Sequence, residues 1–183
     1  MTTTTARRSV REVLIETADR LFYAEGIRAV GIDRVIAESG VSKSTMYVHF
    51  RTKEDLVEAY LRRRTDTWRA HVEAEIARRG GDPRERALGV FDVFDQTFRK
   101  RGYRGCPFMN AAAEYPLHDG IRATIAYHRE WLTGLFPTIL GEHCTPDLGA
   151  ALVQLIDGAV SAAHLDHDRT AARRARATAE LLL

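Results

Sequence analysis

The chain is poor in the residues that would mark a disulfide scaffold, a membrane span or a hydrolytic enzyme. Only two of its 183 residues are cysteine. Cys106 and Cys144 are too few for a disulfide framework and have no metal-ligand spacing. The most apolar stretch, residues 148–165, is broken by Gln154, Asp157, Ser161 and His164, so no membrane partner is expected. The opening MTTTTARRSVRE has no apolar run behind its arginines and does not read as a secretory signal. Ser-His-Asp spacing, a HExxH helix and a phosphate-cradling glycine loop are all missing. An enzyme is therefore not expected, and neither a cofactor nor a metal is expected. The default is a reduced, cytoplasmic protein.

Charge of one sign is also scarce, for the formal net charge is only +2. Its distribution carries more information. Residues 1–70 hold 13 Lys and Arg against 10 Asp and Glu, and the rest hold 14 against 15. A mildly basic first third on a neutral body suits one face turned to a polyanion. Apolar residues make up 45% of the chain, enough for a real core.

No segment alternates as a strand would. Nearly all repeat their apolar residues with a helical period. Val10, Val13, Leu14, Ala18, Leu21 and Phe22 form one stripe, which Gly26 ends. A short helix at about 32–39 stops at Gly40, and Ser42 caps the next, at about 43–48. Thr52, with Asp55 three positions on, caps a long fourth helix carrying Leu56, Tyr60, Leu61, Trp68, Val72 and Ile76. Gly80-Gly81 breaks it. Asp82-Pro83, with Glu85 at the third helical position, starts a helix lined by Ala87, Leu88, Phe91, Phe94 and Phe98. A turn and short helix are predicted over 100–116, and a helix over 121–140. Another runs from Thr145-Pro146 to about 165, and the last is capped by Asp168. The fold class is all-α. A three-helix N-terminal domain (residues 1–53) is joined by the long helix, from about 53, to a C-terminal bundle (54–183).

The stretch 31–56, GIDRVIAESGVSKSTMYVHFRTKEDL, reads physically as two short helices around a turn at Ser39-Gly40-Val41. The second helix turns small polar and basic residues outward, short enough to enter a major groove ~12 Å wide. Met46 and Phe50, four apart, face the core.

AESGVSKSTMYVHFRTKEDL resembles the DNA-binding signature of TetR-family regulators. Gly40, Val41, Ser42, Thr45, Tyr47, Phe50, Lys53, Glu54 and Leu56 match it in order and spacing, and TADRLFYAEGIRAVGID resembles the family's first helix. Two positions depart. Gly31-Ile32 stands where a phosphate-touching threonine often begins helix two, and Ile36 stands where alanine is common. The resemblance implies a helix-turn-helix homodimer on a near-palindromic DNA operator, repressing until a small-molecule effector releases it. Ligand-independent and activator-type regulation are the alternatives, and an all-α enzyme the remote one. Carried over by position, Tyr47 and Lys53 hold phosphates, Ser42 and Thr45 add backbone contacts, and Lys43, Ser44 and His49 read bases. Ser42 is equally readable as a cap only, and His49 as a packing residue. Arg7, Arg8 and Arg11 form either a DNA-side arm or a tail.

For the C-terminal bundle the resemblance implies a ligand-binding and dimerisation domain. The candidate pocket set is Phe91, Phe94, Phe98, Cys106, Phe108, Met109, Tyr127 and Trp131, whose aromatic members read first as simple core. RGCPFMNAAAEYP resembles a stretch of one subgroup, with Asn110 and Glu114 as a pocket wall or simply part of a capped helix. Cys106 reads as a redox thiol or a buried hydrophobe. His164, Asp166, His167 and Asp168 read as a polar helix junction rather than a metal site. The expected dimer face is Leu152, Leu155, Ala159, Ala163, Ala175, Ala179 and Leu182, giving a four-helix interface from the last two helices of each copy.

Overall fold

The structure is a computed structural model and describes residues 9–183. Arg7, Arg8 and the Thr run at 2–5 lie outside the described residues. Among the described residues there are nine α-helices and no strand.

The first three helices are set by their ends. Helix α1 (Val10–Glu25) begins where Ser9 accepts the Glu12 N–H and ends at Gly26, whose φ of 98° lies where L-side chains are strained. Helix α2 (Ile32–Ser39) ends at Gly40 with φ 69°, and the chain turns directly into α3 (Lys43–His49). Ser42 caps α3 by accepting the Thr45 N–H. Helix α4 (Lys53–Arg78) opens with the expected reciprocal cap: Thr52 accepts the Asp55 N–H, and Asp55 accepts that of Thr52. Its 26 residues extend about 39 Å at 1.5 Å per residue.

The remaining helices are α5 (Pro83–Phe98), α6 (Pro107–Glu114), α7 (Asp119–Leu140), α8 (Pro146–Leu165) and α9 (Ala171–Leu182), with a 3-10 turn over Gly141–His143. Asp82 accepts the Arg84 N–H and Pro83 opens α5 as expected; Glu85 instead lies beside Arg79 and Arg84. Thr145 caps α8. The residue at the cap of α9 is Thr170 rather than Asp168, whose carboxylate accepts the Thr170 N–H and hydroxyl and pairs with Arg174.

Two hydrophobic cores result, and α4 runs through both. The first gathers Leu14, Phe22, Val35, Met46 and Phe50 against Leu56, Tyr60 and Leu61 of α4. The second gathers Val72 and Ile76 of α4 with Phe91 and Phe98, Phe136, Leu152 and Ile156. Each large side chain removed from water here contributes roughly 1.5–3 kcal/mol. The expected division at 53/54 does not coincide with the division of the cores. Leu56–Leu61 complete the first core, because three short helices cannot enclose one alone. Phe108 and Ala111 of α6 and Ile121 of α7 join it as well.

Candidate nucleic-acid interface and interior cavity

Helix α3 shows two unlike faces. Met46 is fully buried and Phe50, just past the helix, is 3% exposed, so both hold α3 to the first core. Ser42, Lys43, Ser44, Tyr47, Val48 and His49 are exposed, and Thr45 is half-buried. The Ser42 hydroxyl also lies 3.0 Å from that of Ser44 and 2.7 Å from that of Thr45. The Lys43 ammonium donates to Asp33 at 3.0 Å, which holds it above its ordinary pKa. Val48, 80% exposed, was not singled out from the sequence. A valine on a bare polar face is the signal that could have found it, since apolar groups there can meet a thymine methyl.

Lys53 is placed differently from Lys43. Its ammonium donates to the Ile27 carbonyl at 2.6 Å and lies 5.8 Å from the Phe22 ring centre, and burial pushes its pKa down. Arg11 stands in the first turn of α1 with its guanidinium 5.2 Å from the Phe50 ring centre, so it belongs to a helix and not to an arm.

A cavity of about 370 Å³ lies where α4, α5, α6, α7 and α8 meet. Of the eight expected pocket residues, Phe94, Phe98, Cys106, Phe108, Met109 and Trp131 line it. Phe91 and Tyr127 do not. Phe91 is 1% exposed and packs 6.0 Å from the Phe136 ring. Tyr127 is on the outer surface between the Arg62 and Arg69 guanidiniums. Both lie on the stripes that carry the lining residues, but a stripe is wide enough for one edge to face core or solvent.

The cavity's polar groups come from far apart in the chain. The Tyr23 hydroxyl donates to the Gly105 carbonyl and accepts the Arg104 N–H, each at 3.0 Å. Arg129 binds Asp157 through both guanidinium nitrogens, at 2.8 and 2.9 Å. His128 stacks on Phe108 with ring centres 3.6 Å apart, and burial pushes its pKa down to about 4. Burial also pushes the Cys106 thiol up, which favours the unreactive protonated form. Trp68 and His128 were on apolar stripes and could have been included. The Arg129–Asp157 pair spans 28 positions and left no local signal.

Asn110 and Glu114 do not line the cavity. Asn110 donates to the Arg104 carbonyl. Glu114 accepts the backbone N–H groups of Ile27 and Arg28, between α1 and α2. Helix α6 thus begins in the cavity wall and ends on the loop between α1 and α2, one helix ahead of the exposed α3.

Five of the seven expected dimer residues face inward. Leu152, Ala159, Ala163, Ala175 and Ala179 are buried in the second core, because small residues let α8 and α9 pack closely within one copy. Leu155 and Leu182 retain exposed surface. The outward face of α8 is a separate stripe: Ala151, Leu155, Gly158, Ala162 and Leu165. By length and composition α8 is apolar enough to cross a bilayer, but its inward face is built into the core.

A short exposed helix after a glycine turn, held by a helical body with an internal cavity, defines a helix-turn-helix regulator architecture. Comparison with known proteins identifies the family. The sequence model for bacterial regulatory proteins of the tetR family matches residues 14–60. The crystal structure of SCO4454, a TetR-family transcriptional regulator from Streptomyces coelicolor, superposes with a TM-score of 0.84 at 35% identity, covering 94% of this chain and 93% of that one. The chain belongs to the TetR family, whose members are transcriptional regulators and not enzymes. Among curated relatives, the HTH-type transcriptional activator FasR of Mycolicibacterium smegmatis is 31% identical over 96 residues, 51% of this chain and 43% of its own length. The HTH-type regulator YerO of Bacillus subtilis is 40% identical over 47 residues, 26% of this chain and 16% of its own. The match thus spans less than half the length of these curated relatives.

Proposed function

We propose that the protein is a dimeric, cytoplasmic DNA-binding repressor whose α3 enters the major groove and whose cavity takes a small molecule that releases it from DNA. The observation that carries this reading is α6, with one end in the cavity wall and Glu114 at the other end on the loop before α2. A ligand that shifts Phe108 or Met109 moves the support of the reading head. A differential affinity of about 1–3 kcal/mol between two arrangements changes operator affinity ~5–150-fold. Ser44, Tyr47 and His49 are free to reach DNA, with Ser42 and Thr45 beside them. Lys43 reaches it by exchanging Asp33 for phosphate. Lys53 acts chiefly by bracing Ile27. In this reading residues 1–53 supply the DNA-contacting part and 54–183 the effector and dimer part, sharing α4.

The dimer is assigned to the outward stripe of α8 together with exposed residues of α9. Two copies related by a two-fold axis read half-sites about 34 Å apart, or a multiple of that. The test is selection of bound duplexes from a random pool, with Tyr47→Ala as control. An enriched near-palindrome, lost in the variant, is expected. No enrichment from a folded dimer would remove sequence-specific binding by the ligand-free protein. An activator is the second reading, favoured by the naming of FasR as one. A reporter behind the selected site separates the two by the sign of its response.

A further inference from the structure

The lining of the cavity narrows the chemistry of its occupant, given the reading of that cavity as an effector site. Both tryptophans of the chain, Trp68 and Trp131, line it. Trp68 stacks on Phe94 with ring centres 4.6 Å apart and planes 28° apart. The stacked Phe108–His128 pair also belongs to the lining. A lining this rich in aromatic rings favours a planar, ring-containing guest over a branched or flexible one.

Every formal charge on the lining already has a partner. Arg64 pairs with Asp19 at 2.5 Å, and Arg129 with Asp157. His128 is neutral at ordinary pH, because burial penalises its charged form. A charged guest would have to break one of these pairs or lie unpaired against an apolar wall, and both are costly.

One polar group is left over. The Tyr103 hydroxyl is buried and has no hydrogen-bond partner among the described residues, although Tyr103 lines the cavity and its ring lies 5.0 Å from Phe98. A buried, unanswered hydroxyl is destabilising, and its natural complement is an acceptor on the guest.

We infer that the cavity binds a neutral, planar aromatic molecule carrying a hydrogen-bond acceptor, such as an aryl carbonyl, which takes the proton of the Tyr103 hydroxyl. The Tyr103 bond selects among neutral aromatics, and the paired charges exclude aromatic acids and amines.

The test is calorimetric titration of the full-length protein with three guests of one shape: methyl naphthyl ketone, isopropenylnaphthalene and naphthoate. The ketone is expected to bind about five- to tenfold more tightly than the hydrocarbon, and naphthoate more weakly than either. Tyr103→Phe, which removes only an oxygen, should erase the difference between ketone and hydrocarbon while leaving hydrocarbon affinity in place. Equal binding of ketone and hydrocarbon by the unaltered protein would overturn the inference, as would naphthoate binding as tightly as the ketone. In both cases the cavity would still be a small-molecule site. Failure of all three guests to bind a protein that still binds its operator would remove the effector reading as well.

Discussion

Glu114 holds Ile27 from one side while Lys53 holds it from the other. The Glu114 carboxylate accepts the Ile27 N–H at 3.0 Å, and the Ile27 carbonyl accepts from Lys53 at 2.6 Å. The same carboxylate accepts the Arg28 N–H. The loop between α1 and α2 is therefore fixed to α6 and to the first turn of α4 at once. Glu114→Gln keeps one acceptor but turns an NH2 group toward a backbone donor. The loss expected is about 1–3 kcal/mol of stability, read as a lower melting temperature. If α6 carries the ligand signal, operator affinity should also become less sensitive to ligand. A variant that is less stable but fully ligand-responsive would leave Glu114 a structural clamp only.

The Lys43–Asp33 pair makes a prediction of opposite sign. Both side chains are largely exposed, so the pair contributes little stability. Asp33 nevertheless places a negative charge beside a lysine expected to meet phosphate. Asp33→Asn should tighten operator binding several-fold at low salt and steepen its dependence on salt. Lys43→Ala should weaken binding and abolish the effect of Asp33→Asn. Filter binding across a salt series checks both. Unchanged affinity in Asp33→Asn would place Lys43 away from the DNA.

The helices and most of their ends were legible because their causes are local. Ser42, Thr52, Asp82 and Thr145 each bond an N–H two or three residues ahead, and the sequence shows them side by side. The exposed face of α3 was legible for the same reason, since Met46 and Phe50 fix which side is inward. Long-range choices were not legible. Phe91, Phe94 and Phe98 share one stripe, and only the surrounding helices decide that the last two border a cavity. The small residues of α8 and α9 pose the same ambiguity more sharply. Smoothness predicts close approach but not to what, and Ala159, Ala175 and Ala179 approach their own core. The Tyr23–Gly105 bond, 82 residues apart, has no trace in either local sequence.

Gly158 supplies the test of the dimer face. It is exposed in the middle of α8, where glycine costs about 1 kcal/mol relative to alanine, and nothing lies within 4 Å of where its Cβ would be. Nothing in the described protomer requires a glycine there, whereas a second helix packed closely against it would. Gly158→Leu should therefore split the dimer despite improving helix propensity, and should weaken binding to a two-half-site operator far more than to one half-site. Gly158→Ala serves as the milder control. Sedimentation velocity reads the mass directly, and an intact dimer in Gly158→Leu would move the interface off this stripe.

His128 predicts how the fold responds to acid. It is 8% exposed and stacked on Phe108, with Nδ1 3.3 Å from the Thr65 hydroxyl. Burial first, and the nearby Arg129 second, lower its pKa from 6.5 to about 4. Between those values the unfolded chain binds a proton that the folded chain refuses, so acid favours unfolding. The stabilisation is complete above pH 6.5 and is lost as pH falls through about 4. The shift corresponds to on the order of 3 kcal/mol, a large share of the stability of a protein this size. His128→Phe keeps the ring stack and removes the titration. Its denaturation free energy should fall less steeply than that of the unaltered protein across this pH window, while the carboxylates contribute equally to both. Parallel pH profiles for the two proteins would mean that His128 takes up its proton without unfolding, and that its pocket wall opens to water in acid.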